Sequence, residues 1–156
     1  MASKCLCLAA VPFLLLGCLG CGFGICESAA GYSVTGTVLS AGSSDPVVGA
    51  EVSVVFLRGG EVISVVDIPE SSSTNDLGEF QEFNLVDRSG GLCGFLFPAP
   101  RFAELGDPPD EVRLVVTVDG QSEEILVMLD ADSIDIESSS SGTITIPPVE
   151  IAPLAP

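Results

Sequence analysis

The stretch Pro46-Val47-Val48-Gly49-Ala50-Glu51-Val52-Ser53-Val54 decides how this chain is read. Val52, Val54 and Phe56 alternate with Glu51, Ser53 and Val55, the period of a strand with one buried face. Upstream, Val34, Gly36 and Val38 alternate with Ser33, Thr35 and Thr37, so Tyr32 to Leu39 is a second such strand. Its glycine marks a place where another group comes close. Ser40 to Pro46 between them is rich in Gly, Ser, Asp and Pro and reads as a loop. Downstream, Arg58-Gly59-Gly60 forms a hairpin turn, because glycines accept positive φ at little cost. Val62 to Ile68 then returns as a strand.

Further along, Pro69 to Asn75 is a serine-rich connection, and Asp76-Leu77-Gly78 turns the chain so that Phe80 points inward. Phe83 and Leu85 complete that strand. Gly90 to Phe102 reads as an insertion or irregular strand, and Gly106 to Asp110 as a loop. Val112, Leu114, Val116 and Val118 alternate strictly before Asp119-Gly120, a strong hairpin signal. Ile125 to Leu129 returns, and Asp130 to Gly142 reads as an acidic, then serine-rich, loop. Ile144, Ile146, Val149 and Ile151 form a last strand, which Pro147-Pro148 confines to an edge or a bulge. No helical period is sustained after residue 26. About seven strands at this spacing predict an all-β, antiparallel β-sandwich.

Val34-x-Gly36-x-Val38, Pro46-x-x-Gly49-Ala50-x-Val52-x-Val54 and Thr74-x-x-x-Gly78-x-Phe80 together resemble the carboxypeptidase regulatory-like family. The resemblance covers residues 32 to about 86 and implies a transthyretin-like (prealbumin-like) sandwich. From 111 to 151 it holds only in strand pattern. Gly49 gives a tight entry to the strand, Ala50 is small enough to pack beneath the turn, and Phe80 plugs the core. Asn75 stands where that family often has Asp. Such a motif specifies fold more than function, since the architecture serves as an accessory, adhesive or spacer module.

At the N-terminus, Lys4 precedes an uncharged apolar run from Cys5 to Gly17, the length of a signal-peptide core. Leu15-Leu16-Gly17-Cys18 resembles a bacterial lipobox, which implies cleavage before Cys18 and acylation of that cysteine. Cys21 in Cys18-Leu19-Gly20-Cys21 is the second choice. Two or three acyl chains would anchor the protein firmly, at about 0.8 kcal/mol per buried methylene. The expected organisation is a signal peptide at 1–17, a tether at 18–31, a sandwich at 32–152 and a tail at 153–156. Cleaved secretion and an uncleaved anchor are the alternatives. With Cys21 and Cys26 in the tether and Cys93 in the domain, cleavage before Cys18 leaves an odd number of thiols and no structural disulfide framework is expected; cleavage before Cys21 would leave Cys26 and Cys93 as a possible pair.

The 156 residues hold 22 acidic and five basic side chains and no histidine, for a net charge of −17. After the leader, four arginines face all 22 acids, which opposes binding to nucleic acid. Without histidine, Ser–His and Cys–His nucleophile systems are impossible, and zinc ligation is disfavoured. The only lysine is Lys4, so a lysine–asparagine isopeptide cross-link within the domain is excluded. Asp130 and Asp132 are the calcium candidates: in a strand they would share a face, with Asp135 turned away. Phe95, Phe97, Arg101 and Phe102 could form an apolar loop, but Phe95 and Phe97 are expected in the core. Sugar-binding sandwiches usually present Trp or Tyr, and this chain has only Tyr32. The expectation is a non-catalytic lipoprotein of the bacterial envelope without a cofactor, held to the membrane by lipid and contacting a protein partner. A calcium- or carbohydrate-binding module is the alternative, and a hydrolase a more distant one.

Overall fold

The computed structural model describes residues 24–65, 71–93 and 102–152. Ten strands and one 3-10 turn form two sheets among them. In chain order the strands are β1 Gly24–Ser40, β2 Glu51–Arg58, β3 Glu61–Val62, β4 Ser71–Ser73 and β5 Glu79–Cys93. They continue with β6 Glu111–Val118, β7 Gln121–Met128, β8 Ile134–Ser138, β9 Ser141–Thr145 and β10 Val149–Ile151. The all-β expectation holds.

In the first sheet, β1 pairs antiparallel with β5 along one edge. Its other edge takes β9 and then β10, both parallel, and β8 closes the sheet beyond β9. In the second sheet, β2 pairs antiparallel with β6 on one side and with β4 and β3 on the other, and β7 lies beyond β6. Both two-residue hairpins, Gly59-Gly60 and Asp119-Gly120, have positive φ throughout, matching the right-handed strand twist. Tyr32, Val34 and Val38 of β1 face Val52, Val54 and Phe56 of β2 in one core, with Val112, Leu114, Val116 and Ile144. Each such side chain contributes about 1.5–3 kcal/mol when fully buried.

Several local expectations are corrected. β1 begins at Gly24, so residues 24–31 are a strand paired with β5 rather than a tether. Cys26, within that strand, is disulfide-bonded. The serine-rich connection contains β4, which pairs with β2. Strand β3 is only two residues long, because the Phe56 N–H turns to the Ser64 hydroxyl, at 2.8 Å, instead of a ladder carbonyl. The supposed loop from Asp130 to Gly142 holds a 3-10 turn, Ala131–Ser133, then β8 and the start of β9. Pro147-Pro148 divides the last strand in two, and β9 is internal rather than at an edge.

Strand β5 carries the largest surprise. Phe80 is buried as expected, but strict alternation then buries Glu82 and Asn84, at 4% and 3% exposure, and turns Phe83 outward at 53%. These polar groups are tolerated because they span the sheets. Asn84 Nδ2 donates to the Val54 carbonyl of β2, and Glu82 Oε2 accepts the Ser72 N–H of β4 at 3.0 Å. Tyr32 lies edge-on to Phe56, ring centroids 5.6 Å apart. Burial pushes its phenol above the ordinary value, with the Arg58 charge opposing. Its hydroxyl has no hydrogen-bond partner among the described residues. Tyr32→Phe is therefore expected to leave the thermal midpoint unchanged or raise it, since it removes a desolvated hydroxyl and no bond. A lower midpoint by circular dichroism would contradict this.

Candidate functional site

The motif residues read from the sequence meet in one knot. Gly36 leaves space that Ile146 and Phe80 fill: a Cβ there would lie 2.5 Å from Ile146 Cγ1 and 2.9 Å from Phe80 Cε1. Pro46 bridges to Leu39, and the Val47 N–H donates to the Val38 carbonyl at 3.0 Å. Buried Thr74 accepts the Ala50 N–H on its hydroxyl at 2.9 Å and donates that hydroxyl to the Val47 carbonyl at 2.6 Å. Its backbone pairs with Gly49 and Ala50. Gly78 sits against Val38 and Pro46 with φ +72°, and its carbonyl accepts the Val38 N–H at 2.8 Å. These residues hold turns together, and their polar atoms face one another.

Asn75 organises the turn before β5. Its Oδ1 accepts the N–H groups of Leu77 and Glu79, at 2.9 and 3.0 Å, and its Nδ2 donates to Glu79 Oε2 at 3.0 Å. An aspartate could make the first two bonds but not the third. Asn75 thereby fixes one carboxylate of a groove of about 540 Å³ on the outer face of the first sheet. Glu79 and Gln81 of β5, Thr35 and Thr37 of β1, and Thr145 of β9 line it, with Ser73 at its rim. Register explains the grouping, since Thr35 lies beside both Gln81 and Thr145, and Thr37 beside Glu79. The sequence reading missed this groove. The alternating Ser33, Thr35 and Thr37 signalled an exposed face, but only the parallel pairing with β9 adds Thr145 to it.

The calcium candidates do not converge. Asp130 caps the 3-10 turn, its Oδ1 accepting the Ser133 hydroxyl at 2.6 Å and the Ser133 N–H at 2.9 Å. Those bonds, the hydroxyl first, hold its carboxyl below the ordinary aspartate value. Asp132 lies inside the turn, so the shared strand face expected for the pair does not exist. Among the described residues no group of three or more His, Cys, Asp or Glu is placed to hold a metal. Cys18, Cys21, Phe95, Phe97 and Arg101 lie outside the described residues, as do the stretches expected to be signal peptide and tail. Phe102 is exposed. Among the described residues no helix is long and apolar enough to cross a membrane.

A second surface lies on the outer face of the other sheet. Register aligns Val55 of β2, Arg113 of β6 and Leu126 of β7 in one row, with Val115 and Met128 in the rows beside it. Leu126 and Met128 are 55% and 66% exposed. Arg113 Nε lies 3.1 Å from Glu124 Oε1. Strand β7 pairs only with β6 among the described residues.

No protein-family model matches the chain, and no curated protein matches it. Among solved structures it is similar to a 9R-lipoxygenase from Cyanothece PCC8801, with 13% identity and a TM-score of 0.39. The match covers 78% of this chain and 16% of the lipoxygenase.

Proposed function

We infer that the chain is a non-catalytic β-sandwich module of the bacterial envelope that binds a protein partner while a lipid on Cys18 tethers it to the membrane. The observation that carries the binding role is the β6–β7 face. Leu126 and Met128 stand exposed around Arg113, beside a strand edge that pairs with no other strand among the described residues. Apolar side chains around an arginine are the composition of an interface centre, and an open edge can accept an added strand. The lipobox Leu15-Leu16-Gly17-Cys18 supports the tether. The knot of Gly36, Pro46, Gly49, Ala50, Thr74, Gly78 and Phe80 supports a transthyretin-like sandwich of the carboxypeptidase regulatory-like kind.

A photo-reactive residue at Leu126, in the full chain expressed in its own cells, tests the binding role against a control probe at Glu51. A discrete adduct from position 126 alone is the expected result, and none from either position would overturn the reading. The intact mass of the mature N-terminus tests the tether separately. An acylated peptide beginning at Cys18 is expected, and an unmodified one would remove the lipid from the proposal.

A further inference from the structure

We propose that the outer face of β5, β1 and β9 is a binding site for a neutral oligosaccharide. The polar part of the groove is built from hydroxyl, carboxamide and carboxylate side chains, each suited to a sugar hydroxyl, and Gly36, Phe80 and Ile146 complete its lining. Thr35, Thr37 and Thr145 have no hydrogen-bond partner for their hydroxyls among the described residues, and all three point to the same side of the sheet. Gln81 Nε2 donates to the Ser33 hydroxyl at 2.9 Å, which fixes the amide and turns its oxygen to a different direction. Asn75 similarly holds Glu79. The polar groups at the β5 side are therefore positioned before any ligand arrives, which lowers the entropy cost of binding.

The same alternation that exposes Glu79 and Gln81 exposes Phe83, next along β5 on that face. Its ring reaches over Gly31 of β1, with Cζ only 3.0 Å from where a Cβ of that residue would stand. A half-exposed aromatic ring beside a row of hydroxyls offers the two surfaces a pyranose needs, one for its C–H face and one for its hydroxyl rim. This ring serves where Tyr32, the only tyrosine, is buried in the core.

Other occupants fit the face less well. An extended peptide would add through ladder hydrogen bonds along the outer edge of β5, which pairs only with β1 among the described residues, and that ladder would leave the threonines of β1 and β9 unused. Anionic ligands meet the Glu79 carboxylate, no basic side chain in the lining, and a chain of net charge −17. An apolar ligand would leave the threonine hydroxyls and the Glu79 carboxylate desolvated. The site is on the sheet opposite the β6–β7 face, so it stands independently of the protein-binding role.

The test is titration of the full chain in detergent with neutral hexasaccharides of glucose, xylose, mannose and N-acetylglucosamine, and with an anionic galacturonic acid hexamer. At least one neutral probe is expected to bind with Kd of about 1 mM or tighter, a free energy near −4 kcal/mol. Phe83→Ala and Gln81→Ala should each weaken it by about tenfold, or about 1.4 kcal/mol. Val62→Ala, on exposed β3 of the other sheet, should leave it unchanged. Should a variant fail to fold, amide shifts at Thr35, Thr37 and Thr145 in the wild-type chain provide the second readout. Silence from all four neutral probes would overturn the site. So would binding of the anionic hexamer alone, affinity indifferent to both substitutions, or shifts confined to other residues.

Discussion

Gly78→Ala is expected to lower the free energy of unfolding by about 2–5 kcal/mol, the sum of a left-handed backbone and an overpacked contact. The residue has φ +72°, which an L side chain adopts only with strain, and its Cβ would lie 2.5 Å from the Val38 carbonyl oxygen. That oxygen cannot simply move aside, because it accepts the Val47 N–H at 3.0 Å, and the Val38 N–H is bonded to Gly78 itself. Gly49→Ala separates the two causes. Gly49 has almost the same φ, +74°, with nothing within 4 Å of its Cβ position. It should cost only the backbone share, about 1–2 kcal/mol. Equilibrium unfolding in urea measures both. Equal losses would mean that the close approach to Val38 contributes nothing.

Thr74→Val should cost about 2–4 kcal/mol, although it preserves the shape of the side chain. The hydroxyl is both acceptor for Ala50 and donor to Val47, so its loss strands one buried donor and one partly buried acceptor. Leaving such groups unmade costs more than the bonds contribute, because neither can turn to water. Thr74→Ser keeps the hydroxyl and loses a methyl, worth about 0.8 kcal/mol. The diagnostic quantity is the difference between the two variants. If valine proves as mild as serine, the hydroxyl is not what fastens the β2 entry to the strand before Asn75.

Much of this knot was legible because its residues are chemically restricted. A glycine with positive φ, a small alanine under a turn and a phenylalanine two residues past a turn leave marks that one sequence displays. Phe83 and its neighbours were not legible in the same way. Hydrophobicity favours burying Phe83 over Glu82 and Asn84, and only the register set by Phe80, with cross-sheet partners at Ser72 and Val54, reverses that order. β8 was hidden differently. Ile134 and Ile136 alternate, but Asp130, Asp132, Asp135 and Glu137 around them read as solvated loop. The edge position of β8 lets those charges remain in water while the backbone pairs with β9. The candidate groove was beyond reach for a third reason, since Thr35 and Thr145 become neighbours only through a parallel pairing between distant segments.

That pairing also governs the order in which the fold can be assembled. The first sheet cannot be finished around β1 by hairpins alone, because β9 and β10 run parallel to it and arrive only after the second sheet has been made. Contacts between segments so far apart must overcome loop closure before they return any stabilisation, which places the molecule among slowly folding topologies. Until Ser141 and the residues after it have been synthesised, one side of β1 is an open ladder. A nascent or truncated chain therefore exposes an aggregation-prone edge that the finished protein conceals.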